Sequence, residues 1–360
     1  MSGHGSGLPD LVALPRQPAG VPWPTEAWPE ADLPHGVDLG PLLDEVFDPD
    51  GPLATTFAVL VVHHGAIVAE RYAGALEHFD RAPTPVDADT PLLSWSMAKS
   101  FLHAAVGLVV GEDRVDLDLP AAVPEWADHA DPRHAITLRQ LLAMHDGLDF
   151  VEDYDDDQVS DVIEMLFGAG QDDMAHFAAD RPLAAPPGTR FTYSSGTSNI
   201  ISGVLARLLG PGEPFARFLH GRLFAPLGMT SADPAFDEAG TWVASSFLHA
   251  TARDYARFGL LYLRDGMWDG RRVLPQGWVD YGRTWVGEDP EDHSPFGAHW
   301  WGVAGDRRGT FRAAGYEGQS ITICPALDLI VVRLGKTPRE RTPLLIPWRA
   351  AMVEAFAGTR

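Results

Sequence analysis

The chain has 360 residues, more than one hydrophobic core usually serves, so a large two-lobed unit or two domains is expected. Its formal charge of −23 argues against nucleic acid and anionic membrane as partners, since both require a basic face, and reads first as solubility. The single Cys324 excludes an intrachain disulfide and any cysteine-based metal site. No run approaches the ~18 apolar residues of a membrane span. Met1 to Gly20 has neither the basic segment nor the apolar core of a secretory signal, so a cytoplasmic location is the expectation.

Residues 1–36 are rich in Gly, Pro and Trp without periodicity and read as an irregular arm. Val37 to Phe47 has the pattern of a short amphipathic helix. Phe57–Val62, the turn His63-His64-Gly65 and Ala66–Tyr72 predict a β-hairpin. A polar loop from Thr84 to Thr90 leads to an apolar helix beginning near Ser96. Helices are expected over Thr137–Met144, Ser160–Phe167, Asn199–Leu209, Phe215–Phe224 and Ala252–Leu263. Strands are expected near Ala298–Gly302, Thr310–Ala314, Ser320–Cys324 and Leu329–Leu334, with a last helix over Pro347–Phe356. A hairpin, many helices, then strands and a terminal helix suit an α+β architecture, an antiparallel sheet whose chain detours through a helical lobe. There is no internal repeat.

The stretch Ser96-Met97-Ala98-Lys99 stands out for chemistry. On a helix Ser96 and Lys99 share one face about a turn apart. Leu102, Ala104, Ala105, Val106, Leu108 and Val109 follow, and a helix apolar nearly all round belongs inside a protein. Ser94 or Ser96 is a candidate cap for its start. Lysine occurs only at Lys99 and Lys336. Arginine keeps its proton whereas a desolvated lysine loses it, so Lys99 is where a titratable amine would matter. Taken alone, the pair is also what a snorkelling lysine near a common serine would give.

Three further stretches give it context: Leu141-Leu142-Ala143-Met144-His145-Asp146-Gly147-Leu148, Phe191-Thr192-Tyr193-Ser194-Ser195, and Gly315-Tyr316-Glu317-Gly318-Gln319. In this order, over roughly residues 96–319, the chain resembles the serine β-lactamase and penicillin-binding-protein-like superfamily, in its class C and esterase branch. Ser96-Met97-Ala98-Lys99 is its Ser-x-x-Lys. Tyr193-Ser194-Ser195 is similar to its Tyr-x-Asn, with Ser195 for the asparagine, and Ala313-Ala314-Gly315 stands where the family has Lys-Thr-Gly or His-x-Gly.

The resemblance implies a β-lactamase/transpeptidase-like fold without a cofactor or metal. It implies an N-terminal arm (1–36) and a catalytic domain (37–360), with a sheet lobe over about 37–92 and 240–360 and a helical lobe over about 93–239. It implies Ser96 as nucleophile, Lys99 and Tyr193 as the base, and the Ser96 and Tyr316 backbone N–H groups as oxyanion hole. Ser195, Ala314, Gly315 and Trp301 would line the substrate site. Gly147–Tyr154 and the Gly-x-x-Gly-Gln resemble the nylon-oligomer (aminohexanoate-dimer) hydrolases, in which the tyrosine matching Tyr154 closes over the substrate. Of Trp300 and Trp301, at least one is expected in the core.

Other features are set aside. Gly335-Lys336-Thr337 is followed by Pro338, so no phosphate-binding helix begins there. The acidic run Glu152–Asp157 lacks the spacing of a calcium loop and reads as a solvated loop. His63-His64 lacks metal spacing, and His103 reads as a packed histidine. The expectation is a serine hydrolase acting on small esters or linear amides, with neither nucleic acid nor membrane as partner and a homodimer left open. A β-lactamase or DD-peptidase-like enzyme is the alternative within enzymes, and a catalytically silent binding protein of the same fold is the alternative outside them.

Overall fold

The computed structural model describes residues 11–78, 80, 82–154 and 160–358. Eight antiparallel strands form the main sheet: β1 (Thr56–His63), β2 (Ala66–Tyr72), β3 (Gly287–Glu288), β4 (Pro295–Phe296), β5 (Trp301–Gly302), β6 (Phe311–Gly315), β7 (Gln319–Cys324) and β8 (Leu329–Gly335). Their spatial order is β3-β4-β5-β6-β7-β8-β1-β2, so the N-terminal hairpin joins the C-terminal strands through β1 against β8. The hairpin turns through His64 and Gly65, both with positive φ.

Strand parity divides the sheet into two unlike faces. Ala58, Leu60, Val62, Ile321, Ile323, Ile330, Val332 and Leu334 share the larger core with α2 (Ala98–Gly111) and with the helix Ala252–Leu263. At the closest approach of that second helix, a Cβ on Gly259 would lie 2.9 Å from Ile321. Val59, Val61, Cys324, Leu329 and Val331 face the other way, onto α1 (Gly40–Phe47) and the helix Leu345–Glu354. Two buried faces explain why β1, β7 and β8 are apolar or buried at every position rather than at alternate ones.

Between β2 and β3 the chain runs through helices. A 3₁₀ turn (Trp95–Met97) leads into α2, followed by α3 (Leu138–Leu142), α4 (Asp161–Phe167), α5 (Met174–Ala179), α6 (Ser195–Leu209) and α7 (Glu213–Leu219). The helix Ala252–Leu263 is α8 and the helix Leu345–Glu354 is α9. α2 is buried from Ala98 to Val109, as its sequence predicts. Residues 11–36 lie along the body and satisfy buried side chains: Arg257 donates to Pro24 O, Arg283 to Val12 O and Arg264 to Gln17. Among the described residues no helix is long and apolar enough to cross a membrane.

Several boundaries differ from the sequence reading. α1 begins at Gly40, because Pro41 supplies a helix start. α3 stops at Leu142, where Met144 and Gly147 take positive φ. α6 begins at Ser195, capped by the Ser194 side chain accepting from Thr197 N–H. The strand expected over Ala298–Gly302 shrinks to Trp301–Gly302 because His299 adopts φ +60. α5 was not anticipated. Neither Ser94 nor Ser96 caps α2: the single Ser94 hydroxyl proton is directed at the carbonyls of Trp95 and Ser246, and Ser96 lies inside the 3₁₀ turn.

Candidate active site

Ser96 is fixed by what precedes it. Trp95 holds a left-handed φ of +45, a strained conformation for a bulky residue. Its indole N–H donates to Glu317 (3.1 Å), and its ring meets Tyr316 edge-on at 5.5 Å. The strain therefore sits at the junction of α2 with the end of β6. There Gly315 comes so close that an added Cβ would lie 2.4 Å from Ser94 O and 3.2 Å from Ser96 N. Only glycine permits this approach, which brings the Tyr316 backbone beside Ser96.

Lys99 is buried one turn into α2, and its Nζ has three partners. It donates to Ser96 Oγ (3.1 Å), Ser195 Oγ (3.0 Å) and Ser245 O (2.9 Å). Burial disfavours the ammonium and lowers its pKa from 10.5 to about 8, with Glu152 opposing. Nζ also lies 4.9 Å from the centroid of the Tyr193 ring. Burial and then the Glu152 charge push the Tyr193 phenol well above its ordinary range, while contact with Ser96 works the other way. The resemblance implies Lys99 and Tyr193 together as the base. The surroundings favour a neutral phenol and an amine that gives up its proton far more readily than a solvated lysine.

Ser195 and Glu152 depart most from expectation. Ser195 Oγ donates to Glu152 Oε1 (2.6 Å) and its N–H donates to Oε2 (2.7 Å). Ser195 is thereby engaged by Lys99 and Glu152 rather than turned to a substrate. The Glu152 carboxylate lies against the first turn of α6, where the helix dipole favours an anion. It is not part of a solvated loop, as the run of acids suggested; Asp155–Asp157 of that run lie outside the described residues. Tyr154 donates to Glu152 Oε1 (3.0 Å) and stacks on Tyr316 at 5.2 Å. Its phenol is also shifted upward, chiefly by burial.

The remaining wall is aromatic. Trp301 is half-buried and lies 5.3 Å from Tyr193, whereas Trp300 is fully buried against Phe258 and Tyr262. Ala314 pairs with Ser320 and shares the parity of Arg312, so its methyl group turns toward the α9 side and only its backbone is left for a ligand. Ala313 is buried in the larger core.

Supporting residues escaped the sequence reading. The Asn199 side chain accepts from Ser245 N–H (3.1 Å), fixing the peptide whose carbonyl receives Lys99. His299 is buried neutral, its pKa lowered to about 3 by burial. Its Nδ1 lies 2.9 Å from Leu142 O, so Nδ1 carries the proton and Nε2 accepts from Ser198 (3.0 Å). Neither has a sequence signal, because each acts through a partner distant in the chain. His103 is the packed histidine expected, 2.7 Å from the Tyr262 hydroxyl and stacked on Trp278. Among the described residues no group of three or more His, Cys, Asp or Glu side chains is arranged to hold a metal.

Comparison with known proteins places the chain in a family. The family model described as Beta-lactamase matches residues 53–352. A 6-aminohexanoate-dimer hydrolase of Paenarthrobacter ureafaciens is 28% identical over 307 residues, covering 80% of this chain and 74% of the relative. The solved structure of a Bacillus anthracis protein provisionally assigned as a 6-aminohexanoate-dimer hydrolase superposes with a TM-score of 0.74 at 23% identity, covering 96% of this chain and 90% of that one. A class C beta-lactamase of Rhodobacter sphaeroides gives a TM-score of 0.61 at 19% identity, covering 83% and 95%. The chain belongs to the beta-lactamase family and is a serine hydrolase.

Proposed function

We propose that the protein hydrolyses short-acyl esters or linear amides that lack a carboxylate beside the scissile bond, through an acyl-enzyme on Ser96. The observation that carries this reading is the set of partners around Lys99. Ser245 O is a carbonyl, and Ser195 Oγ gives its own proton to Glu152, so both accept from Nζ. A neutral amine has two protons for those two acceptors. Its lone pair is left for the third direction, toward Ser96 Oγ.

Lys99 then takes the serine proton as Oγ attacks the carbonyl carbon. The Ser96 and Tyr316 N–H groups receive the developing oxyanion. Tyr193, held as a neutral phenol, passes the proton to the leaving group, and water deacylates the enzyme by the reverse route. Tyr154, over the site from the stacking face of Tyr316, is the second phenol within reach of a leaving amide nitrogen.

Substrate class follows from what is missing. Ala313 stands where the superfamily has a cation for the substrate carboxylate, and it is buried in the core. Arg312 belongs to the other face of β6, and Ser195 is engaged by Glu152 and Lys99. The similarity to a hydrolase of the 6-aminohexanoate dimer supports linear amides beside esters. The test is the ratio of kcat/KM for p-nitrophenyl butyrate to that for nitrocefin, with both activities expected to vanish in Ser96→Ala. A ratio favouring nitrocefin would overturn this substrate class and support a β-lactamase.

A further inference from the structure

The far side of β6 carries a second arrangement that the reaction does not use. Arg312 and Thr322 are register partners on β6 and β7, so their side chains stand together on the face covered by α9. With Thr310, Arg308 and Arg349 they line a cavity of about 150 Å³, closed on its apolar side by Val303, Ile346 and Val353. The polar groups there are incompletely satisfied. Thr322 Oγ1 and Arg312 Nε are buried without a hydrogen-bond partner. Thr322 is only 4% exposed and the Arg312 side chain only 11%. Arg312 donates to Ser294 Oγ (3.0 Å) and approaches Asp292 only to 3.9 Å. Arg349 is half-buried and, among the described residues, makes no hydrogen bond or ion pair.

Unpartnered guanidinium and hydroxyl groups in a partly enclosed space cost stability unless a ligand or water satisfies them. A guanidinium fork matches a carboxylate in two parallel hydrogen bonds. The acids nearby set the charge of that ligand. Glu354 is paired with Arg308 at 2.9 Å, and Asp306 accepts the Arg308 and Thr310 backbone N–H groups. Together with Asp292 they match the three guanidinium charges one for one, so a ligand there is held by the unmet hydrogen-bond donors rather than by net charge, which suits a monoanion better than a dianion. A cavity of this volume accommodates a molecule of about six non-hydrogen atoms. Its apolar wall suits a short hydrocarbon tail.

We propose that the cavity between β6, β7 and α9 binds a short aliphatic monocarboxylate, with Arg349 and Arg312 on the carboxylate, Thr322 as a further donor, and Val303, Ile346 and Val353 around the tail. The site is separate from Ser96 and stands whether or not the substrate class above is correct. It gives this strongly acidic protein a place for an organic anion on the reverse of the strand that ends at Gly315.

Isothermal titration of the full-length protein with sodium butyrate, and separately with inorganic phosphate at matched ionic strength, tests the assignment. Arg349→Gln and Thr322→Val are the variants. The first removes a half-buried charge with no structural partner. The second keeps side-chain shape and removes only the unpartnered hydroxyl. Butyrate should bind the wild type and phosphate should not. Each variant, shown to be folded by circular dichroism, should weaken butyrate binding by about tenfold or more. Butyrate entering the Ser96 site instead would be untouched by either substitution. Unchanged affinity in both variants, no butyrate binding, or tighter binding of phosphate would each overturn the proposal.

Discussion

Replacing Glu152 by glutamine tests the electrostatics of the nucleophile directly. Glutamine keeps the size of the side chain and one acceptor oxygen for Ser195, but removes the charge. Nζ of Lys99 is linked to Glu152 through Ser195 Oγ by contacts of 3.0 and 2.6 Å, so amine and carboxylate are at most about 5.6 Å apart. At that separation and an effective dielectric of about 20, opposite charges attract by ~3 kcal/mol, equivalent to about two pKa units. The carboxylate stabilises the ammonium, so its removal lowers the Lys99 pKa further. In the wild type, with a pKa of about 8, about one-tenth of Lys99 is neutral at pH 7. The ascending limb of kcat/KM for p-nitrophenyl butyrate should have its midpoint near pH 8 and move down by about one to two units in Glu152→Gln. The plateau above it should also fall, because a less basic amine takes the serine proton less readily. A midpoint unmoved by the substitution, or moved upward, would refute the assignment of that limb to Lys99 coupled to Glu152.

Two further outcomes follow from the same geometry. The depressed pKa makes Lys99 a stability liability at neutral pH, because the unfolded lysine binds its proton more tightly than the folded one. The stability difference between Lys99→Met and the wild type should therefore change in favour of the wild type by about 3 kcal/mol as pH rises from about 8 to about 10.5, measured by urea unfolding; a difference independent of pH would show that the lysine is not desolvated. Gly315→Ala should lower the acylation rate by ~10²–10³, the cost of a lost oxyanion donor, since its methyl group would force β6 away from Ser94 O and Ser96 N. A folded variant acylating at the wild-type rate would remove Tyr316 N–H from the oxyanion hole.

The sequence conveyed what depends on neighbouring residues. Ser96 and Lys99 are three apart, and their 3.1 Å contact was legible because a helical turn fixes that distance whatever surrounds it. The hairpin and α8 were legible for the same reason, through period and turn chemistry. Glu152 was misread because a carboxylate in a run of acids looks solvated. Its inward turn comes from a bond to Ser195, 43 positions away. His299 and Ser245 act over much longer separations, 157 and 146 positions, through a carbonyl of α3 and the amine of Lys99. Trp300 and Trp301 are adjacent and alike in type, and only tertiary contacts separate them, Trp300 packing on Phe258 and Tyr262 and Trp301 on Tyr193.

The charge around Ser96 bears on substrate choice independently of the missing clamp. Glu152 lies behind Ser195, Glu317 is bonded to the indole of Trp95, and Asp289 is close enough to oppose ionisation of Tyr193. Against these three acids stands Lys99, whose charge is needed as a removable proton and diminishes near pH 8. Arg333 is fully buried behind the loop and donates to Glu317 O, so its guanidinium is occupied in holding the backbone beyond Tyr316. A substrate carboxylate brought beside these acids would give up its hydration and meet their negative charge, with Lys336, which lines a cavity with Trp95 and Glu317, as a second cation nearby. A neutral acyl group bears no such cost, and an ammonium group on the leaving side would be attracted. Because Glu152 and Glu317 are held by hydrogen bonds to Ser195, Tyr154 and Trp95, their part of the potential is built into the same contacts that position the nucleophile. Restoring an anion preference would therefore take more than a cation at position 313: Glu152 would have to be neutralised as well, and with it the partner that fixes the hydrogen-bond direction at Lys99.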